Sequence, residues 1–147
     1  MTTLVYIKSN FSCLYFNQIL FYSKREEKLL TLYGIKNCDT VKKAIKWLDA
    51  NNKKYVFFDY KQKNISKSKL EKFVSKIEKN RLINKKSLTW RNLQSDIKSR
   101  IINIEVTDNE LIEVLSDHPL LIKRPIIESE DLLLIGFSEQ EYNSNIK

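Results

Sequence analysis

The chain has 147 residues, 42% of them hydrophobic and 30% charged, which is one domain's worth and enough for a core without disulfides or metals. Two cysteines, Cys13 and Cys38, and a single histidine, His118, exclude a disulfide framework and a Cys/His zinc cluster and leave few options for a Ser/His/Asp triad. The formal net charge of +8 would suit a nucleic-acid partner, but the lysines are scattered from Lys42 to Lys86 rather than gathered, so no direct nucleic-acid contact is expected.

The first segment, 1–29, differs from the rest. Its apolar clusters, Leu14–Phe16 and Ile19–Tyr22, are interrupted by Asn17 and Gln18 and followed by the charged run Ser23–Lys28. The apolar part is too short to span a bilayer and has no clear cleavage site, so it is read as an N-terminal extension of unassigned structure, with no membrane partner. A domain, 30–147, follows. Leu32-Tyr33-Gly34-Ile35 reads as a short buried strand, and Val41, Ala44, Ile45 and Leu48 recur on one helical face. Asp39 or Thr40 is the expected N-cap, which puts Cys38 at the helix mouth. Asn51-Asn52 ends the helix, and Tyr55–Tyr60 is rich in strand formers, so this stretch predicts a βαβ unit with parallel strands.

Helices follow, over about 62–118. Ser66 or Ser68, the latter with Glu71 in a capping box, precedes Leu70, Phe73, Val74 and Ile77. Asn84–Ser87 reads as a loop before a short helix near Thr89 and Trp90. Thr107 and Glu110 form another capping box, and that helix stops at Asp117-His118-Pro119. Ile126-Ile127 and Asp131–Gly136 are close enough for an antiparallel hairpin, and Ser138 caps a last helix. The order is that of a thioredoxin-like α/β fold with a helical insertion between its βαβ and ββα halves.

Cys38 has two readings. A lone cysteine is commonly a small buried apolar residue. At a helix N-terminus it meets unpaired N–H groups and the positive end of the helix dipole, which favour the nucleophilic thiolate.

The motifs Gly34-Ile-Lys-Asn-Cys38-Asp-Thr-Val-Lys-Lys-Ala44, Leu82–Asn84, Thr89–Arg91, Asp117-His-Pro-Leu-Leu-Ile-Lys-Arg-Pro125 and Leu134–Phe137 come in this order along the chain. In them the chain resembles the ArsC/Spx family of arsenate reductase-related proteins, and most closely its YffB-like branch. The resemblance implies a thioredoxin-like fold and a reactive cysteine working with glutathione. Cys38 then matches the family's nucleophile and Arg124 its oxyanion-binding arginine, with a cis peptide bond before Pro125. Lys36, Asn37, Asn84 and Pro125 are the expected substrate contacts, and no metal or bound cofactor is expected.

The departures from the family pattern matter. Well-studied arsenate reductases of this family use three arginines, whereas only Arg124 is clearly matched here. Asn84 fills the loop position, with Lys85 and Lys86 beside it, and Glu128, Glu130 and Asp131 follow Arg124. Fewer guanidinium groups disfavour strong arsenate binding. The leading expectation is therefore a cytoplasmic glutathione-dependent thiol reductase. It would act on a small oxyanion or a mixed disulfide, with glutathione as co-substrate and glutaredoxin as a further partner. Two alternatives stay open: an Spx-like regulator that binds the RNA polymerase α subunit, and an inactive thioredoxin-like module.

Overall fold

The computed structural model describes residues 29–146, so the expected extension, apart from Leu29, lies outside the described residues. Strand β1 (Leu30–Gly34), helix α1 (Asp39–Ala50) and strand β2 (Tyr55–Asp59) make the predicted βαβ unit. β1 and β2 run parallel, with Leu30 opposite Tyr55 and Gly34 opposite Asp59. The hairpin of β3 (Ile126–Glu128) and β4 (Leu133–Ile135) completes a sheet of order β2-β1-β3-β4, in which β3 lies antiparallel to β1 and to β4. The result is the mixed α/β arrangement expected from the sequence.

β1 is central and covered on both faces, which is why it reads as a continuous apolar run. Leu30 and Leu32 belong to one core with Ala44, Trp47 and Leu48 of α1, Ile127, Leu134, and Tyr142 of the last helix, α7 (Glu139–Asn145). Tyr33 belongs to the core on the other face, with Tyr60, Leu70, Phe73 and Ile126. There its ring meets Phe73 edge-on at 5.3 Å and Phe58 at 5.1 Å.

The helical segment comprises α2 (Lys67–Lys76), α3 (Lys79–Leu82), α4 (Leu88–Asn92), α5 (Ser95–Ile102), α6 (Asp108–Asp117) and a 3₁₀ turn at Pro119–Leu121. Leu70, Phe73 and Val74 of α2 share a core with Leu111, Ile112 and Leu115 of α6. Glu128 ties this layer to the sheet. Its buried carboxylate accepts from the Tyr33 hydroxyl at 2.8 Å and from Lys69 of α2 at 2.7 Å, and it also pairs with Lys72. Burial raises the Glu128 pKa, but the hydrogen bonds from Lys69, Lys72 and Tyr33 outweigh it and hold the carboxyl below its ordinary value.

One cap differs from the sequence expectation, and another is decided between the two residues offered for it. The N-cap of α1 is Cys38 itself, one residue before Asp39, because Asp39 is already helical and the Cys38 carbonyl accepts from the Lys42 N–H at 2.9 Å. Ser66, not Ser68, caps α2 by accepting from the Lys69 N–H, which leaves no capping box between Ser68 and Glu71. The Thr107–Glu110 box of α6 and the Ser138 cap of α7 form as expected.

Gly34 fixes how close α1 comes to β1. A Cβ there would lie 2.7 Å from Val41 Cγ2, and Val41 is fully buried, with a stiff β-branched side chain. Gly34→Ala is therefore expected to cost about 1–3 kcal/mol of stability by overpacking, read as a lower midpoint in denaturant unfolding. A midpoint equal to the parent's would mean that the first turn of α1 has room to move.

Candidate active site

The topology gathers separate chain segments at one end of the sheet. Beyond the carboxyl end of β1 the chain turns through Ile35-Lys36-Asn37 to Cys38, and beyond the adjacent end of β2 comes Tyr60, whose N–H donates to the Gly34 carbonyl at 2.9 Å. Because β3 runs antiparallel to β1, with Ile126 opposite Tyr33, its start brings Arg124 and Pro125 to the same end. The Arg124–Pro125 peptide bond is cis, as the family resemblance implied.

Cys38 is partly buried at the mouth of α1, packed against the core that holds Tyr33 and Tyr60. Burial pushes its thiol pKa up. The Val41 N–H, the Arg124 guanidinium and the Thr40 N–H act in the other direction and prevail, so the thiol lies below its ordinary value. No cap hydrogen bond to the sulfur is formed, so these N–H groups act on the charge of the thiolate rather than as a closed cap.

Arg124 is anchored from one corner. Its Nη1 donates to the Leu120 carbonyl at 3.1 Å, within the segment that closes the helical layer. Its Nε is buried without a hydrogen-bond partner. Because Nε is buried, the end of the fork left for an anion is the Nη1–Nη2 pair, of which Nη1 gives one of its two N–H groups to Leu120.

The other predicted site residues fall less uniformly. Lys36 and Asn37 are exposed in the turn that presents Cys38. The Asn84 N–H donates to the Leu121 carbonyl at 2.6 Å, so its loop is joined to the segment leading to Arg124. The Asn84 side-chain oxygen accepts from the Lys86 N–H at 3.3 Å and so serves its own turn. Pro125 is buried, and its carbonyl accepts from the Gly136 N–H at 2.7 Å. Glu128, two residues into the strand from Ile126, has its charge met by lysines and does not oppose Arg124 at the sheet end. Tyr60 was read only as a strand former. The period-two alternation of Phe58 and Tyr60, which puts both on the helix-covered face, is the signal that could have marked it.

Among the described residues no group of three or more His, Cys, Asp or Glu side chains is placed to hold a metal ion, and no helix is long and apolar enough to cross a membrane. A cavity of about 380 Å³ lies between Leu30, Lys53, Ser129, Leu132 and Ile146, at the opposite end of the sheet from Cys38.

The chain has relatives among known proteins. An uncharacterized protein of Haemophilus influenzae is 40% identical over 116 residues, a match that covers 79% of this chain and 97% of its own. Among solved structures, the YFFB protein superposes with a TM-score of 0.72 at 32% identity, covering 80% of this chain and 99% of that one. The Global transcriptional regulator Spx 2 of Bacillus anthracis is 29% identical over 120 residues, covering 77% of this chain and 83% of its own. A family model matches residues 33–145, from within β1 to the end of α7, and so takes in Cys38, Arg124 and Pro125 together: the chain belongs to the ArsC family.

Proposed function

We propose that the chain is a cytoplasmic thiol reductase in which Cys38 is the nucleophile and glutathione the electron donor. The observation that carries this reading is the meeting of the Cys38 sulfur with the first turn of α1 and the Arg124 guanidinium, all of which favour the thiolate. With a mixed disulfide of glutathione as substrate, the Cys38 thiolate attacks the glutathione sulfur. The substrate's sulfur–sulfur bond breaks, its thiolate leaves and takes a proton, and glutathione is left bonded to Cys38. Cys38-Asp-Thr-Val41 has no second cysteine of a C-x-x-C pair, so a resolving thiol must come from outside. A second glutathione thiolate attacks its bound counterpart, which releases oxidised glutathione and restores the Cys38 thiolate. Arg124 stabilises the thiolate before attack, and its planar fork also suits a small oxyanion.

The test is the rate of Cys38 alkylation as a function of pH. The inflection is expected below the free-thiol value of about 8.5. A profile at or above that value overturns the reading and leaves an inactive module.

The likeness to Spx 2 favours a second reading, a regulator that binds the RNA polymerase α subunit. Cys38 has no C-x-x-C partner for a redox switch, so any such binding would not be redox-controlled through that motif. Retention of the chain by immobilised α subunit, without glutathione-dependent turnover, would select the regulator.

A further inference from the structure

Among the described residues two buried side-chain polar atoms have no hydrogen-bond partner, the Tyr60 hydroxyl and the Arg124 Nε. They belong to the same end of the sheet. Tyr60 is the first residue after β2, and Arg124 stands just before β3, which pairs with the other side of β1. Tyr60 is only 5% exposed, and its ring is fixed between Tyr33 at 6.4 Å and Phe58 at 6.3 Å. Burial pushes its phenol well above the ordinary value and Tyr33 adds to this, while Arg124 pulls the other way, so the guanidinium charge reaches the phenol.

The two atoms are chemical complements. An arginine Nε–H can only donate, and a neutral phenol oxygen accepts. Tyr60 stands among aromatic rings and the Arg124 Nε is buried, so each atom is costly to leave unmatched. Arg124 is held at its Nη1 corner by Leu120, while its Nε stays unbonded.

We propose that Tyr60 is the positioning residue of Arg124: as the Cys38 thiolate forms, the Nε–H swings onto the Tyr60 oxygen, and this bond holds the guanidinium against the sulfur. The proposal rests on the reading of Cys38 and Arg124 as one thiolate site, and it adds a neutral residue from the end of β2 to that site.

Tyr60→Phe removes the oxygen and keeps the ring. The expected result is an upward shift of the Cys38 alkylation profile, with a roughly threefold slower rate at a pH below the thiol's value. The melting temperature is expected to equal or exceed the parent's, since an unpartnered buried hydroxyl has been removed. Arg124→Lys has no Nε–H, so adding Tyr60→Phe to it is expected to change the profile no further. An unchanged profile in Tyr60→Phe, when Arg124→Ala shifts it, overturns the positioning role and leaves the thiolate site standing. If neither variant moves the profile, the site reading falls as well. An equal shift from Tyr60→Phe in the parent chain and in the Arg124→Lys variant also overturns the proposal. So does a Tyr60→Phe chain that melts well below the parent at a pH where the Cys38 thiol is neutral, because the proposal gives the hydroxyl no bond there.

Discussion

Cys38→Ser is expected to eliminate glutathione-dependent turnover of a mixed disulfide while leaving the melting temperature unchanged or slightly higher. The two effects separate chemistry from folding. Serine is a preferred N-cap, and its oxygen suits the N–H groups of Thr40 and Val41 better than sulfur does, so α1 keeps or gains stability. As a nucleophile it fails, because a hydroxyl needs a neighbouring base. The chain's one histidine, His118, is exposed at the end of α6. The substitution also has a pH signature. The folded thiol value is the lower one, so thiolate interactions stabilise the fold fully above the ordinary thiol value and are lost as pH falls through the folded value. The difference in melting temperature between parent and Cys38→Ser is therefore expected to move in the parent's favour as pH rises. Turnover that survives in the serine chain would place the chemistry elsewhere.

How much of this was legible in the sequence depended on whether the signal was local. Periodicity marked the buried face of α1, and the side-chain grammar of Thr107 with Glu110 and of Ser138 marked helix starts, because each acts within one turn. The helices at Lys79–Leu82 and Ser95–Ile102 were not read, since four to eight residues give too little periodicity against a background of lysines, asparagines and serines. The choice between Cys38, Asp39 and Thr40 as N-cap was one residue wide, and it decides whether the sulfur occupies the cap position or sits beside it. Gly34 was legible as a break in an apolar run, but its need for the space taken by Val41 appears only once α1 is packed on β1. Arg124 was reached through a long ordered motif rather than through any local pattern. Its approach to Cys38 is set by the antiparallel pairing of β3 with β1, which joins parts of the chain distant in sequence. Tyr60 was missed for the same reason. Its neighbours in sequence say that it belongs to a strand, and only the pairing of two other strands says what lies at the end of that strand.

Arg124→Ala and Arg124→Lys are expected to separate charge from shape at this site. Alanine removes both, so the Cys38 alkylation profile shifts upward and glutathione-dependent turnover falls by on the order of 100-fold, the usual scale for losing one preorganised charged donor. Lysine keeps a cation within reach of the sulfur and is expected to preserve most of the alkylation rate. It cannot reproduce the planar fork, nor donate to the Leu120 carbonyl while offering further N–H groups of the same rigid plane to an anion. If Arg124 acts only as a charge on the thiolate, lysine restores turnover with every substrate. If it also holds two oxygens of one anion, lysine restores turnover with a mixed disulfide and still fails with an oxyanion. Measuring both variants against both substrate classes therefore assigns the guanidinium its task. An Arg124→Ala chain whose thiol profile and turnover match the parent's would remove the arginine from the site altogether, since nothing else about Arg124 predicts a silent substitution there.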